Sequence, residues 1–160
     1  MFSVAATAPM FDKIALIGIG LIGGSIALEA RKRGIAKTIV AATRSAETAA
    51  TANRLKLTDH CGTDIAAAVK DADLVIVCTP VGACGDAART IAPSLKPGCI
   101  VSDVGSVKQA VIDAMAPHLP ANVHFVPAHP VAGTENSGPE AGFAELFDGR
   151  WTILTPLPGS

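Results

Sequence analysis

The sequence predicts a doubly wound α/β domain, a mainly parallel sheet with helices on both faces. Three observations predict it. Short apolar, β-compatible runs alternate with stretches of helical spacing, the order that right-handed crossovers between parallel strands require. Alanine and valine abound, tyrosine is absent and apolar residues make up 49% of the 160-residue chain, as suits strands covered on both faces by small-residue helices. Between the first run and the first helix stand glycines in the spacing Gly18-x-Gly20-x-x-Gly23. That strand–turn–helix is the fingerprint of a Rossmann-type dinucleotide-binding unit.

Each element follows in order. Lys13 to Ile17 reads as the first strand, an unbroken run too short for a helix. The helix from Leu21 ends at Arg31-Lys32-Arg33-Gly34, with cations on the negative end of its dipole and Gly34 just past its end. Thr38 to Ala42 is the second strand, and Ser45 opens a helix that runs to about Leu57, with Glu47 in its first turn. A short helical piece over Ile65 to Val69 leads to the strand Leu74 to Cys78, closed by Thr79-Pro80 because proline cannot donate to the ladder. Helical spacing returns at Cys84, Ala87, Ala88 and Ile91 and stops at Pro93. After the Pro97-Gly98 turn, Cys99 to Ser102 is a strand. Ser106-Val107-Lys108-Gln109 has capping-box form, with an apolar stripe Val107, Ala110, Val111, Ala114 and Met115 behind it. Val123 to Ala128 is a further strand, a long glycine-rich loop follows, and Trp151 to Leu154 is the last strand. Residues 1–12 read as a loose N-terminal tail, 13–155 as one domain and 156–160 as the start of a linker.

Composition excludes several classes. A formal net charge of −1 and 17% charged residues offer no electrostatic attraction to nucleic acid or to an anionic membrane. No apolar run approaches the ~20 residues that a spanning helix needs, and the first ten residues lack the pattern of a signal peptide. Cys61, Cys78, Cys84 and Cys99 show no Cys-x-x-Cys spacing, so they are expected to be buried free thiols of a cytoplasmic protein. No His/Cys spacing suggests a metal, and His60, His118 and His124 read as surface or core fillers.

The cofactor residues follow from the fingerprint. Gly18 allows the tight turn, Gly20 admits a pyrophosphate close to the backbone, and Gly23 lets helix and strand approach. The free N–H groups from Leu21, Ile22 and Gly23 would face the phosphates. An NAD-preferring domain places a carboxylate at the tip of the second strand, where it accepts hydrogen bonds from the ribose 2′-hydroxyl. Here that tip is Thr43-Arg44-Ser45, without a carboxylate. Arg44 could pair with a 2′-phosphate through its guanidinium fork, so NADP is favoured over NAD. The plainer alternative is that Ser45 caps a helix and Arg44 is solvated.

Ligands of such a sheet sit beyond the carboxyl ends of its strands. There the chain places Thr79-Pro80, then Asp103-Val104-Gly105-Ser106-Val107-Lys108, then the run from His129-Pro130-Val131-Ala132-Gly133 through Thr134-Glu135-Asn136-Ser137-Gly138. His129 leaves a strand, and Pro130 keeps it extended. An imidazole there can take a proton from an alcohol as a hydride departs. Lys108 could contact a phosphate or the substrate, but a solvated helix position is the plainer reading.

These motifs, with Gly18 to Ser25 and Cys78-Thr79-Pro80, resemble the nucleotide-binding domain of the prephenate/arogenate (cyclohexadienyl) dehydrogenases of tyrosine biosynthesis, from Lys13 to about Pro158. The resemblance implies oxidative decarboxylation of prephenate or arogenate by NAD(P)⁺. It implies that His129 is the catalytic histidine, that Ser106 stands beside it and the ring hydroxyl, and that Glu135 lies at the mouth of the site. It also implies a helical second domain that forms a homodimer and binds the substrate carboxylates. Without that domain, Lys108 and Arg150 are the only nearby cations, and residues 1–160 are expected to bind cofactor but turn over weakly. Two alternatives stand beside it. One is a dehydrogenase of 3-hydroxyacid type, against which the long His129 to Gly138 motif argues. The other is a non-catalytic dinucleotide-sensing module, which would have no reason to keep His129 and Ser106.

Overall fold

Period-two alternation in the first strand divides the core into two layers. The computed structural model describes residues 8–158, and in it strand β1 spans Phe11–Ile17. Ile14 and Leu16 point to one face, where Ala27, Ala30, Ala49 and Ala52 pack on them. Ala15 and Ile17 point to the other, against Val69, Ala88, Ile91, Val111 and Met115. The first face is covered by α1 (Leu21–Lys32) and α2 (Ala46–Arg54). The second is covered by α3 (Ile65–Val69), α4 (Cys84–Ile91) and α5 (Lys108–Met115). Alanines on the facing helices bring their backbones close to the sheet, and each buried Ile, Leu or Val contributes about 1.5–3 kcal/mol.

The remaining strands are β2 (Ala36–Ala42), β3 (His60–Gly62), β4 (Leu74–Val77), β5 (Ile100–Asp103) and β6 (His124–Phe125), followed by β7 (Ala128–Pro130) and β8 (Thr152–Leu154). The main sheet has the order β3-β2-β1-β4-β5-β6, all parallel. This is the Rossmann order, with the switch point between β1 and β4.

Several boundaries differ from the sequence expectation. Phe11 and Asp12, assigned to the tail, belong to β1: Phe11 pairs with Ala36, and its N–H donates to Ile35 O at 3.1 Å. Residues 1–7 and 159–160 lie outside the described residues. Helix α2 stops at Arg54 because Lys56 turns the chain with φ +53°, and three residues then add β3 at the sheet edge. The run Val123 to Ala128 is not one strand. Val126 still donates to Val101 O, but Pro127 has no N–H to continue the ladder. The chain leaves the sheet there, and β7 pairs antiparallel with β8 in a separate ribbon. Finally, Leu157, assigned to the linker, packs against the core.

The expected helix ends are present. The Ser45 hydroxyl accepts from Thr48 N at 3.2 Å, and Gly34 takes φ +63° just beyond α1. The loop after β7 is tied back to α1. A side chain on Gly142 would meet the Gly24 backbone at 3.1 Å, and Phe143 N donates to the buried Ser25 Oγ at 3.1 Å.

At the amino edge of the sheet, Asp73 accepts from Asp12 N at 2.6 Å and Lys13 N at 3.0 Å and pairs with Lys96. The Lys96 ammonium, then these amides, hold its carboxyl below the usual carboxylate range. A depressed folded-state pKa contributes stability above the unfolded-state pKa and loses it as pH falls through the folded value. Asp73→Asn is therefore expected to lower the melting temperature at neutral pH and to leave a shallower acid limb. Melting curves from neutral pH down through the carboxylate range check this, and parallel curves for the two proteins would contradict it.

Candidate active site

The turn between β1 and α1 is shaped by contacts that leave no room for side chains at two of its glycines. Gly18 takes φ +99°, and a Cβ there would stand 2.8 Å from Cys78 O. A Cβ on Gly23 would stand 2.3 Å from Gly18 O. Gly20 differs: a Cβ there would meet nothing within 4 Å. The space beside it is open to an approaching group. Helix α1 begins with no side-chain cap and no acidic residue in its first turn. The amides of Leu21, Ile22 and Gly23 therefore face outward on the uncompensated positive end of the helix dipole. These residues fit an anionic pyrophosphate.

Beside this turn, Arg44, Ile65, Thr79, Pro80, Ala83 and Thr90 line a cleft of about 230 Å³. It brings together Arg44 of the loop after β2 with Thr79 and Pro80 of the loop after β4. Arg44 is exposed and makes no ion pair among the described residues. Burial pushes Cys78 up to about 12 and also raises Cys84, and the cysteines form no disulfide among the described residues.

The second cluster lies after β5 and along β7. Ala128 and Pro130 turn into an apolar cavity of about 210 Å³ that Ile26, Ile76, Ser102 and Phe147 help to line. By strand alternation His129 faces the other side of the ribbon, opposite Ile153 in register. It is half-buried, and its ring makes no hydrogen bond to the described residues. Ser106 is exposed on the loop after β5, and Glu135 is exposed in the loop after β7. The structure joins the Ser106 loop to the His129 strand through Asp103 and Lys108, whereas Glu135 has no hydrogen bond or ion pair to either.

Two sequence readings are corrected here. Ser106 is not a helix cap: α5 starts at Lys108 behind Val107, with no side-chain cap. Val107 O takes the first helical bond, from Val111 N at 3.1 Å. Gln109 therefore sits too early to complete a capping box and donates instead to Asp113 Oδ1 at 2.8 Å. Nor is Lys108 solvated. Its side chain is 16% exposed and pairs with Asp103, whose side chain is fully buried. Lys108 Nζ also donates to Ala128 O at 2.7 Å, so its ammonium is committed to the protein. Arg150 remains exposed. Asp103 was read in the sequence only within the run Asp103 to Lys108, and its pairing with the lysine five residues on was not foreseen.

The fold and the glycine turn define a dinucleotide-binding domain of Rossmann type. Residues 26–159 match the family model for the nucleotide-binding domain of prephenate dehydrogenase, and the chain belongs to that family. It is 46% identical over 147 residues to a cyclohexadienyl dehydrogenase of Zymomonas mobilis, covering 92% of this chain and 50% of that one. It is 39% identical over 148 residues to a prephenate dehydrogenase of Bacillus subtilis, covering 92% of this chain and 40% of that protein. Among solved structures it superposes with a TM-score of 0.83, at 31% identity, on the prephenate dehydrogenase of A. aeolicus in complex with hydroxyphenyl propionate and NAD⁺. That match covers 91% of this chain and 51% of the other. The chain thus spans 40–50% of the length of these curated relatives.

Among the described residues no helix is long and apolar enough to cross a membrane, and no group of three or more His, Cys, Asp or Glu is placed to hold a metal ion.

Proposed function

We propose that this chain is the cofactor-binding part of a dehydrogenase that oxidatively decarboxylates prephenate, arogenate or both, the penultimate or last step toward tyrosine. Family membership supplies the reaction class. The observation that carries the residue assignment is the unengaged imidazole of His129, on a ribbon fastened to the carboxyl end of β5. In its neutral form that ring can accept the proton of the substrate's ring hydroxyl. NAD(P)⁺, when bound, supplies the hydride acceptor. The amides of Leu21, Ile22 and Gly23 and the bare Gly20 hold the pyrophosphate, and Thr79 and Pro80 wall the adenosine side. The Ser106 hydroxyl, free of any capping role, hydrogen-bonds the same ring hydroxyl, and Glu135 stands at the entrance. Loss of carbon dioxide makes the ring aromatic, so the protein's task is chiefly placement and one base. The substrate carboxylates are bound by residues outside this chain, in a second domain that also makes a homodimer.

The test is to supply the intact protein with prephenate or arogenate and with NADP⁺ or NAD⁺, following reduced nicotinamide. Formation of it together with 4-hydroxyphenylpyruvate or tyrosine supports the reading, and no reduction with either substrate overturns it.

The cofactor is NADP in preference to NAD, because Arg44 offers a free guanidinium beside the cleft and the strand tip lacks a carboxylate. A hydrogen bond to a charged group contributes about 1.5–3 kcal/mol. Arg44→Ala is accordingly expected to raise the NADP⁺ dissociation constant by roughly 10–100-fold and to change that for NAD⁺ little. Titration of both cofactors checks it; an equal loss for the two would assign Arg44 to the adenine instead.

A further inference from the structure

Ala128, the residue before His129, has neither of its backbone polar groups satisfied by a regular ladder of the main sheet. Its N–H donates to Asp103 Oδ1 at 3.2 Å, and its carbonyl accepts from Lys108 Nζ at 2.7 Å. Asp103 and Lys108 pair with each other, and the same carboxylate accepts from Gly105 N at 2.7 Å. Gly105 closes over it: a Cβ there would meet Val111 Cγ2 at 2.8 Å and Asp103 Oδ2 at 3.2 Å. Asp103, Gly105 and Lys108 thus form one knot, with Ser106 exposed on the loop it closes and His129 next along the strand it grips.

We propose that the buried Asp103–Lys108 pair is a positioning device that fixes the Ser106 loop and the His129 strand relative to one another. The inference rests on the reading of His129 as the base.

The energetics favour this role over simple stabilisation. Burying two charges costs much of what their attraction returns, and such a pair is weak support for stability. What it supplies is direction: each charge points at a backbone group of Ala128, two residues beyond the bonds of Val126 to Val101 O and Ser102 Oγ that tie this segment to β5. Pro127 has just ended the parallel ladder, and β7 is only three residues long. Without the pair, the β7–β8 ribbon keeps its own pairing and its Thr155-to-Pro127 bond but loses these side-chain ties to the β5–α5 loop. The two candidate groups then lose register.

The experiment compares the intact protein with Lys108→Met, Lys108→Arg and Asp103→Asn, measuring kcat, the substrate KM, the cofactor dissociation constant and the nitrogen resonances of the His129 ring. Misplacement by about 1 Å can cost ~10²-fold in rate, so Lys108→Met and Asp103→Asn are expected to lower kcat by about that factor. Cofactor affinity and KM should stay within roughly twofold, and the His129 ring signals should shift or broaden. Lys108→Arg, which keeps the cation, should retain more of kcat than Lys108→Met. Overturning results are a kcat within about twofold of the parent in both charge-removing variants, or a rise in KM with kcat intact, which would make Lys108 a substrate contact. A lower melting temperature with kcat preserved would reduce the pair to a structural link and equally overturns it. If one variant does not fold, Lys108→Arg and the other carry the comparison. If the parent protein oxidises neither substrate, the base assignment fails. The ring resonances then decide the brace, and unchanged signals in the variants overturn it.

Discussion

His129→Asn in the intact protein is expected to lower turnover by ~10²–10⁴-fold, the range in which one positioned proton acceptor contributes. Cofactor affinity should remain within a few-fold, because His129 lies on the β7–β8 ribbon and not on the glycine turn. Asparagine is the informative replacement. It retains polarity and hydrogen-bonding capacity in a smaller side chain but cannot take up a proton near neutral pH. If only the base is lost, kcat falls while the substrate KM moves little. Turnover close to the parent's would remove His129 from the chemistry and shift attention to Ser106.

The second large effect is on the glycine turn, where neighbouring positions should behave in opposite ways. Gly23→Ala places a methyl group 2.3 Å from Gly18 O, so α1 must move away from the turn. Overpacking of this kind costs about 1–3 kcal/mol, and cofactor binding should fall with it because the same movement displaces the outward amides. Gly20→Ala has φ in the ordinary range and open space around the new methyl. It should cost about 1 kcal/mol at most, through the poorer N-cap that alanine makes, yet still weaken cofactor binding. Melting temperatures and cofactor titrations on the two variants separate a glycine required by the fold from one required by the ligand. Equal destabilisation of both would contradict that division.

Much of the architecture was legible because it is written locally. The apolar runs at 14–17, 39–42 and 74–77 each declare a strand buried on both faces, and Ser45 and Gly34 announce a helix start and a helix end through their own conformational preferences. Strand β3 escaped because three residues, His60-Cys61-Gly62, carry no periodicity; pairing with Val40 to Ala42 alone makes them a strand. The break at Pro127 was visible as a proline, but the antiparallel partner that captures His129 beyond it is Ile153, 24 residues further along the chain than His129.

The site divides in the same way. The glycine fingerprint is a local device, so spacing alone exposed it. Ser106 misled because a serine three residues before a glutamine is a common helix start. Here the helix starts one residue later, behind Val107, with Lys108 reaching back to a buried carboxylate. No pattern of solvent-facing and core-facing positions reveals such a pair, since a lysine in the first turn of a helix ordinarily looks solvated.

The meeting of Gly24 with Gly142 also bears on the order in which the molecule assembles. The hydrogen bond from Phe143 to Ser25 closes a separation of 118 residues, and closure entropy grows with the length of chain enclosed. This contact cannot form before helix α1 offers a surface for the loop to land on. The first glycine motif of the chain is therefore completed by its last long loop, and that late-arriving segment is the one that carries Glu135 and the run from Thr134 to Gly138.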